Sequence, residues 1–259
     1  MAVAGALAFA APIFGPDPAA QDLSCSLEPP SIGHIFGTDL AGRDLFARVL
    51  SGTRISLAIG LAATLVSVLF GVAVGSVAGY GGPRLDALLM RAVDVLYGLP
   101  YLVFVVVLGL VFGRGLLNLF FAIGAVSWLS TARIVRQEIH SLRRREFVEA
   151  ARALGAGRAR IFFRHLFPNV FGTLAVAAAL SVPQAVRQEA LLSFLGLGVE
   201  PPAASLGSLL RDGLGALTPG RFEWWLLVFP LAALIAIVAA MNALADAIRD
   251  RLDPRRLER

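Results

Sequence analysis

The chain has 259 residues, 57% hydrophobic and only 16% charged, against about 25% charge in a soluble domain. That balance excludes a disordered or collagen-like chain and most cytosolic enzymes. One cysteine, Cys25, allows neither an intrachain disulfide nor a thiolate zinc set, and His34, His140 and His165 lie too far apart in sequence to suggest a metal centre. The formal net charge is +5 and every basic residue is arginine, placed so as to favour a membrane over nucleic acid.

Met1–Phe14 is uncharged but short for a span. It reads as a first transmembrane segment, short or clipped; a signal peptide is the alternative, although no basic n-region precedes it. Residues 15–54 form a polar segment outside the membrane. Uncharged runs then follow at Ile55–Pro83, Val95–Gly113, Gly115–Ala132, Leu166–Val186 and Trp224–Ala245. Crossing about 30 Å of hydrocarbon takes roughly 20 helical residues, and these runs lack the alternation of barrel strands. The expected fold is therefore an all-α polytopic membrane protein of about six spans. Its transmembrane domain covers residues 55–250, with a polar loop at 133–168 and a tail at 251–259.

Arginine placement orients the chain. Segments 81–91, 133–165 and 246–259 hold 16 arginines, and the segments of the opposite side hold 6. This is the positive-inside bias, so the long arginine-rich loop faces the cytoplasm. No polar stretch is long enough to build an independent core. The sequence has no G-x-x-x-x-G-K-[ST] phosphate loop, G-x-S-x-G elbow or H-E-x-x-H helix. Any energy spent is spent on another chain.

Within the loop, Arg144–Leu154 reads as a helix of about three turns. Phe147, Ala151 and Leu154 form its apolar stripe, with Arg145, Glu149 and Arg152 off it. Gly155 suits a left-handed helix end. A second short helix carries Ile161, Phe162 and Leu166 on one face, and Pro168 opens the next span. Such an amphipathic hairpin needs something to dock on, either headgroups or a protein.

Glu149-Ala150-Ala151, then Gly155, then His165 and Pro168 resemble in spacing the EAA loop of ABC-importer permease subunits. The ending His165-Leu166-Phe167-Pro168-Asn169 is similar to the peptide/nickel branch. So are Gly37-Thr38-Asp39 with Gly42-Arg43-Asp44 and Arg48, Arg91 and Asp94 with Pro100, Glu189 to Gly198 with Pro201-Pro202, and Arg249-Asp250 with Leu252-Asp253-Pro254-Arg255. Ser205-Leu206-Gly207 departs from the branch, which has Ser-Trp-Gly there. The resemblance covers about Ile35–Arg256 and implies a type I importer transmembrane domain for di- or oligopeptides, with nickel or another small solute as the alternative cargo. It implies that Phe147, Glu149, Ala150, Ala151, Leu154, Gly155, Arg158, His165 and Pro168 couple the chain to an ATPase. The implied partners are a paralogous permease, two ATPase subunits holding ATP and magnesium, an extracytoplasmic binding protein and the lipid bilayer, with no nucleic acid. The chain itself would be no enzyme and hold no cofactor. A secondary transporter is a weaker reading, because no internal repeat is visible.

Remaining residues carry lesser expectations. Arg187 and Glu189, charged inside a span and two residues apart, do not pair with each other; one or both line the translocation path or, preferably, fix packing through a salt bridge to another helix or subunit. Arg91 and Asp94 are placed for a local ion pair. Pro100, Pro183 and Pro230 kink their spans, Trp128, Trp224 and Trp225 belong to an aromatic belt, and Gly71 and Gly75 form a close-packing face.

Overall fold

A computed structural model describes residues 17–112, 115–217 and 222–252; the expected first span at 1–14 and the tail from 253 lie outside them. Nine α-helices follow in chain order among the described residues: α1 Leu45–Gly81, α2 Pro83–Tyr97, α3 Tyr101–Phe112, α4 Leu116–Leu142, α5 Glu146–Ala153, α6 Arg158–Ile161, α7 Phe167–Phe194, α8 Leu206–Ala216 and α9 Trp225–Leu252. No β-strand occurs among the described residues; one isolated bridge joins Thr38 to Asp44. Among the described residues, four helical stretches are long and apolar enough to cross a membrane: α1, α4 from Leu119, the stretch Arg158–Phe194 and α9. A bent pair, α2 with α3, adds a fifth if counted as one span.

α1 is the backbone of the bundle. Its 37 residues extend about 55 Å, far more than the hydrocarbon requires, and it starts well before the uncharged run because Asp44 caps it, accepting from the Ala47 N–H. α4 is its most extensive partner. The two backbones approach through glycine: a Cβ on Gly71 would lie 2.5 Å from the Thr131 Cβ, and one on Gly75 2.5 Å from the Ala132 carbonyl oxygen. The expected small-residue face is therefore the α1–α4 seam, and Ser67 and Thr131 share a hydrogen bond of 3.1 Å within it.

Three buried clusters mark the levels of the bundle. A middle cluster joins Ile59 and Ala63 of α1 to Val105, Leu119, Ile123, Ala185 and Leu192. An arginine-rich end holds Val135, Ile139, Leu142, Val148, Ala151, Ile161, Leu166 and Val170. The opposite end packs Leu45 and Val49 against Leu206, Leu209, Trp225 and Leu226.

Several expectations are refined or corrected. The kink expected at Pro100 is a full break: the chain leaves the helix at Gly98–Pro100 and turns by 88° between α2 and α3. Proline disfavours helical geometry in the residue before it and donates no N–H, so the break falls where Pro100 dictates. Asp94 pairs with Arg133 at 2.6 Å, not with Arg91, because α4 lies alongside α2. Arg133 also stacks over Tyr97, 4.2 Å from the ring centroid. Trp128 falls in the middle of α4, and Trp225 is buried, its Nε1 donating to the Thr38 carbonyl; only Trp224 keeps the exposed position expected of a belt residue.

Candidate functional site

The loop between α4 and α7 is a folded hairpin. α5 starts at Glu146, shorter than the three turns expected, because Arg145 already has extended dihedrals. Glu146 and Glu149 occupy its first turn and Arg152 its last, each sign matching the helix dipole. The helix ends in a Schellman motif. The Gly155 N–H donates to the Arg152 carbonyl at 2.9 Å and the Ala156 N–H to the Ala151 carbonyl at 3.0 Å. Gly155 has φ of +80°, the left-handed region that a Cβ disfavours, while Gly157 has φ of −66°.

The expected apolar stripe divides. Val148, which sequence spacing did not single out, is fully buried with Ala151 in the arginine-end cluster, against Ile139, Leu142, Ile161 and Leu166. Leu154 is 88% exposed and Phe147 42% exposed. One face thus anchors the hairpin to its own bundle, and the other presents Phe147, Leu154, Glu149 and Ala150 outward. Arg158 is exposed, and the ring of His165 lies 6.4 Å from that of Phe147.

α6 does not stop before the span. It runs through one wide turn, Phe162–Leu166, into α7, with the Phe167 N–H reaching back to the Phe162 carbonyl. Pro168 has no N–H for the ladder, and the Asn169 side chain donates instead to the His165 carbonyl at 2.6 Å. The hairpin's second arm is therefore mechanically continuous with a membrane span. Tyr80, at the end of α1, clamps that arm: its hydroxyl donates to the Arg158 carbonyl at 2.9 Å, and its ring packs against Phe162 and beneath Arg143 and Arg158. Sequence reasoning missed Tyr80, since a lone aromatic at a span end has no local pattern. A second bridge joins the start of α2 to α4, where Asp86 accepts from Arg136 at 2.7 Å and meets His140 at 3.3 Å.

The two charges within α7 part company. Glu189 is completely buried and accepts from Ser56 and Ser193, each at 2.6 Å. Ser56 also accepts from the Leu206 N–H at 3.3 Å, so one carboxylate ties α1, α7 and α8 together. Arg187 is exposed, and among the described residues no carboxylate pairs with it. In Ser205-Leu206-Gly207, Ser205 caps α8 through a reciprocal bond with Ser208, and Leu206 is fully buried. Gly207 presses so close to the backbone of Ala190 that a Cβ would overlap it.

At the far end, Gly37-Thr38-Asp39 and Gly42-Arg43-Asp44 with Arg48 form a charge knot. Asp39 accepts from the Ala41 N–H at 2.8 Å, from Arg43 Nε at 2.7 Å and from the buried Arg48, whose other nitrogen lies 3.6 Å from Asp212. Burial pushes the Asp39 carboxyl up, but the Arg43 N–H and the two guanidinium groups outweigh it and hold the group below its usual value.

Residues 71–258 match the family described as binding-protein-dependent transport system inner membrane component. The chain belongs to this family. The permease is 43% identical over 235 residues to the dipeptide transport system permease protein DppC of Bacillus subtilis, covering 91% of this chain and 73% of that one. It is 46% identical over 223 residues to the oligopeptide transport system permease protein OppC of Escherichia coli K12, covering 86% and 73%. In fold it is similar to an inward-facing MetNI methionine ABC transporter chain, with a TM-score of 0.62 and 18% identity, covering 81% of the permease and 98% of that chain. A second likeness is to an amino acid ABC transporter, with a TM-score of 0.60. The permease is thus a membrane-embedded transport subunit with the transmembrane fold of a type I ABC importer.

Proposed function

We propose that this permease is the membrane-spanning subunit of an ATP-driven importer for di- or oligopeptides in a bacterial cytoplasmic membrane, paired with a paralogous permease. In this reading an extracytoplasmic binding protein delivers cargo to the charge-knot end. Two ATPase subunits lie beneath, one gripping the hairpin from Glu149 to Pro168, and ATP and magnesium belong to those subunits. The peptide cargo rests on the relatives named for dipeptide and oligopeptide transport.

The observation that carries the coupling role is the divided hairpin. One face is fixed in the bundle by Val148 and Ala151 and the other is left bare at Phe147 and Leu154. A handle needs both: a rigid joint to the moving helices and a free surface for the motor. Closure of the ATPase pair on nucleotide would displace the hairpin, and the continuous α6–α7 stretch would carry that displacement into the membrane. Nucleotide then selects between two packed arrangements through its differential affinity for them.

The test is ATP-dependent peptide uptake in proteoliposomes holding the assembled transporter, comparing wild type with Glu149→Lys. The exposed side chain allows normal insertion, so the expected result is a full yield of permease with loss of ATPase association and of uptake. Uptake equal to wild type would refute the docking role.

A further inference from the structure

Residue counts and spacing suggest no metal centre, yet the fold of the polar segment before α1 brings together one cysteine, one histidine and one carboxylate that no part of the transport reading uses. One ligand atom each from Cys25, Glu28 and His34 lie within 4.8 Å of one another. We propose that these three residues form a binding site for a zinc-class divalent cation. A thiolate, an imidazole and a carboxylate are the donor types such an ion takes, at about 2.0–2.3 Å each. Drawing the three donors onto one ion asks for side-chain movements of about 1 Å. The fourth position is left to water.

Two features distinguish this cluster from a chance meeting of surface groups. The first is a supporting carboxylate: His34 Nδ1 lies 2.9 Å from Asp44 Oδ2. That bond fixes the tautomer and leaves Nε2 free as the ligand atom, the orientation by which proteins hold metal-binding imidazoles. Asp44 is itself buried and held as the cap of α1. The second feature is the fixed backbone. The Cys25 carbonyl accepts from the Thr38 hydroxyl. Glu28 is held at both backbone groups by Thr38: its N–H donates to Oγ1 at 2.8 Å and its carbonyl accepts from the Thr38 N–H at 3.0 Å. The His34 carbonyl accepts from Ser31 at 2.8 Å and Gly37 at 2.9 Å. Gly37 has φ of +76°, and a Cβ there would lie 2.6 Å from the Glu28 carbonyl oxygen, so the segment closes tightly. Thr38 and Asp44, the residues that position the three donors, belong to the same motif that builds the charge knot. A bound ion would clip the segment to the cap of α1, the longest helix of the bundle.

Cys25 is the sole cysteine of the permease, so its alkylation reports directly on the site. The assembled transporter, reduced and stripped with a chelator, is treated with maleimide in increasing zinc chloride, and modification of Cys25 is read by peptide mass spectrometry. The expected result is at least tenfold slower alkylation in micromolar zinc, reversed by chelator, with the zinc effect abolished in His34→Ala and in Glu28→Gln when each variant is compared with its own rate without zinc. Asp44→Asn retains the cap and should weaken zinc protection by about 10–100-fold. Cobalt(II) replacing zinc should give thiolate-to-metal charge-transfer absorption. Alkylation unchanged by zinc overturns the proposal. Protection that survives both His34→Ala and Glu28→Gln overturns it too, since that would be the affinity of a lone thiol.

Discussion

Replacing Gly155 tests whether the hairpin must be rigid to transmit force. At φ of +80° an L-residue pays about 1–2 kcal/mol for the left-handed conformation, and a β-branched residue pays at least the top of that range. Apart from its own chain neighbours, no atom of the described residues lies within 4 Å of a Cβ built there, so the effect is conformational and not steric. The escape route is no easier: rotating to negative φ sacrifices the two Schellman bonds, each worth about 0.5–1.5 kcal/mol. Gly155→Val should therefore lower the population of the closed hairpin relative to open forms by roughly 5–30-fold. Gly155→Asn should lose less, because asparagine tolerates this region. Gly157→Ser is the control, since its φ is ordinary and serine is a good helix cap. The assay is ATPase affinity together with peptide uptake in proteoliposomes, at matched permease content. Expected is a graded loss in the order Val, Asn, wild type, with Gly157→Ser at wild-type level. Equal activity for Gly155→Val and Gly157→Ser would refute the argument.

Other outcomes follow from the same geometry. Leu154→Ala should leave folding intact, since the side chain is exposed, but weaken ATPase binding toward the ~1.5–3 kcal/mol of a buried leucine, roughly 10–100-fold in a pull-down titration; unchanged affinity would remove Leu154 from the docking face. Glu189→Gln, able to accept from Ser56 and to donate to Ser193, should keep the thermal midpoint near wild type. Glu189→Ala removes the acceptor of both buried hydroxyl donors and should destabilise by about 1–3 kcal/mol, read as aggregation temperature in detergent. Asp39 has a lowered folded-state value, so its contribution to stability is complete above the ordinary carboxylate value of 3.8 and is lost as pH falls through the lower folded one. Asp39→Asn should therefore flatten the low-pH loss of stability, and at neutral pH it should destabilise the knot by about 3–5 kcal/mol because Arg48 stays buried.

Hydropathy revealed the bundle because a span must satisfy its own backbone and repel water along its length, constraints that every residue of the span records. The runs around α1, α4, α7 and α9 were legible for that reason, and Gly71 and Gly75 were legible because close approach leaves a small-residue period. Pro100 announced a kink but not its size: uncharged residues on both sides of the turn conceal an 88° change of direction that composition does not encode. The hairpin's residues were visible by spacing, yet which face looked inward was not. Val148 and Phe147 are adjacent apolar residues, and only the positions of α4 and α7 decide between them. Tyr80, Arg133 with Asp94, and the gathering of Cys25, Glu28 and His34 depend on contacts between segments distant in the chain or on a folded loop. No local period announces such contacts.

The claim on which the account turns is that the bare face of the hairpin is covered by an ATPase subunit. A photo-crosslinking amino acid at position 154 of the assembled transporter, irradiated with and without ATP, reads that contact directly. The expected result is a crosslink to the ATPase subunit whose yield changes with nucleotide. Crosslinks confined to lipid in every nucleotide state would contradict it.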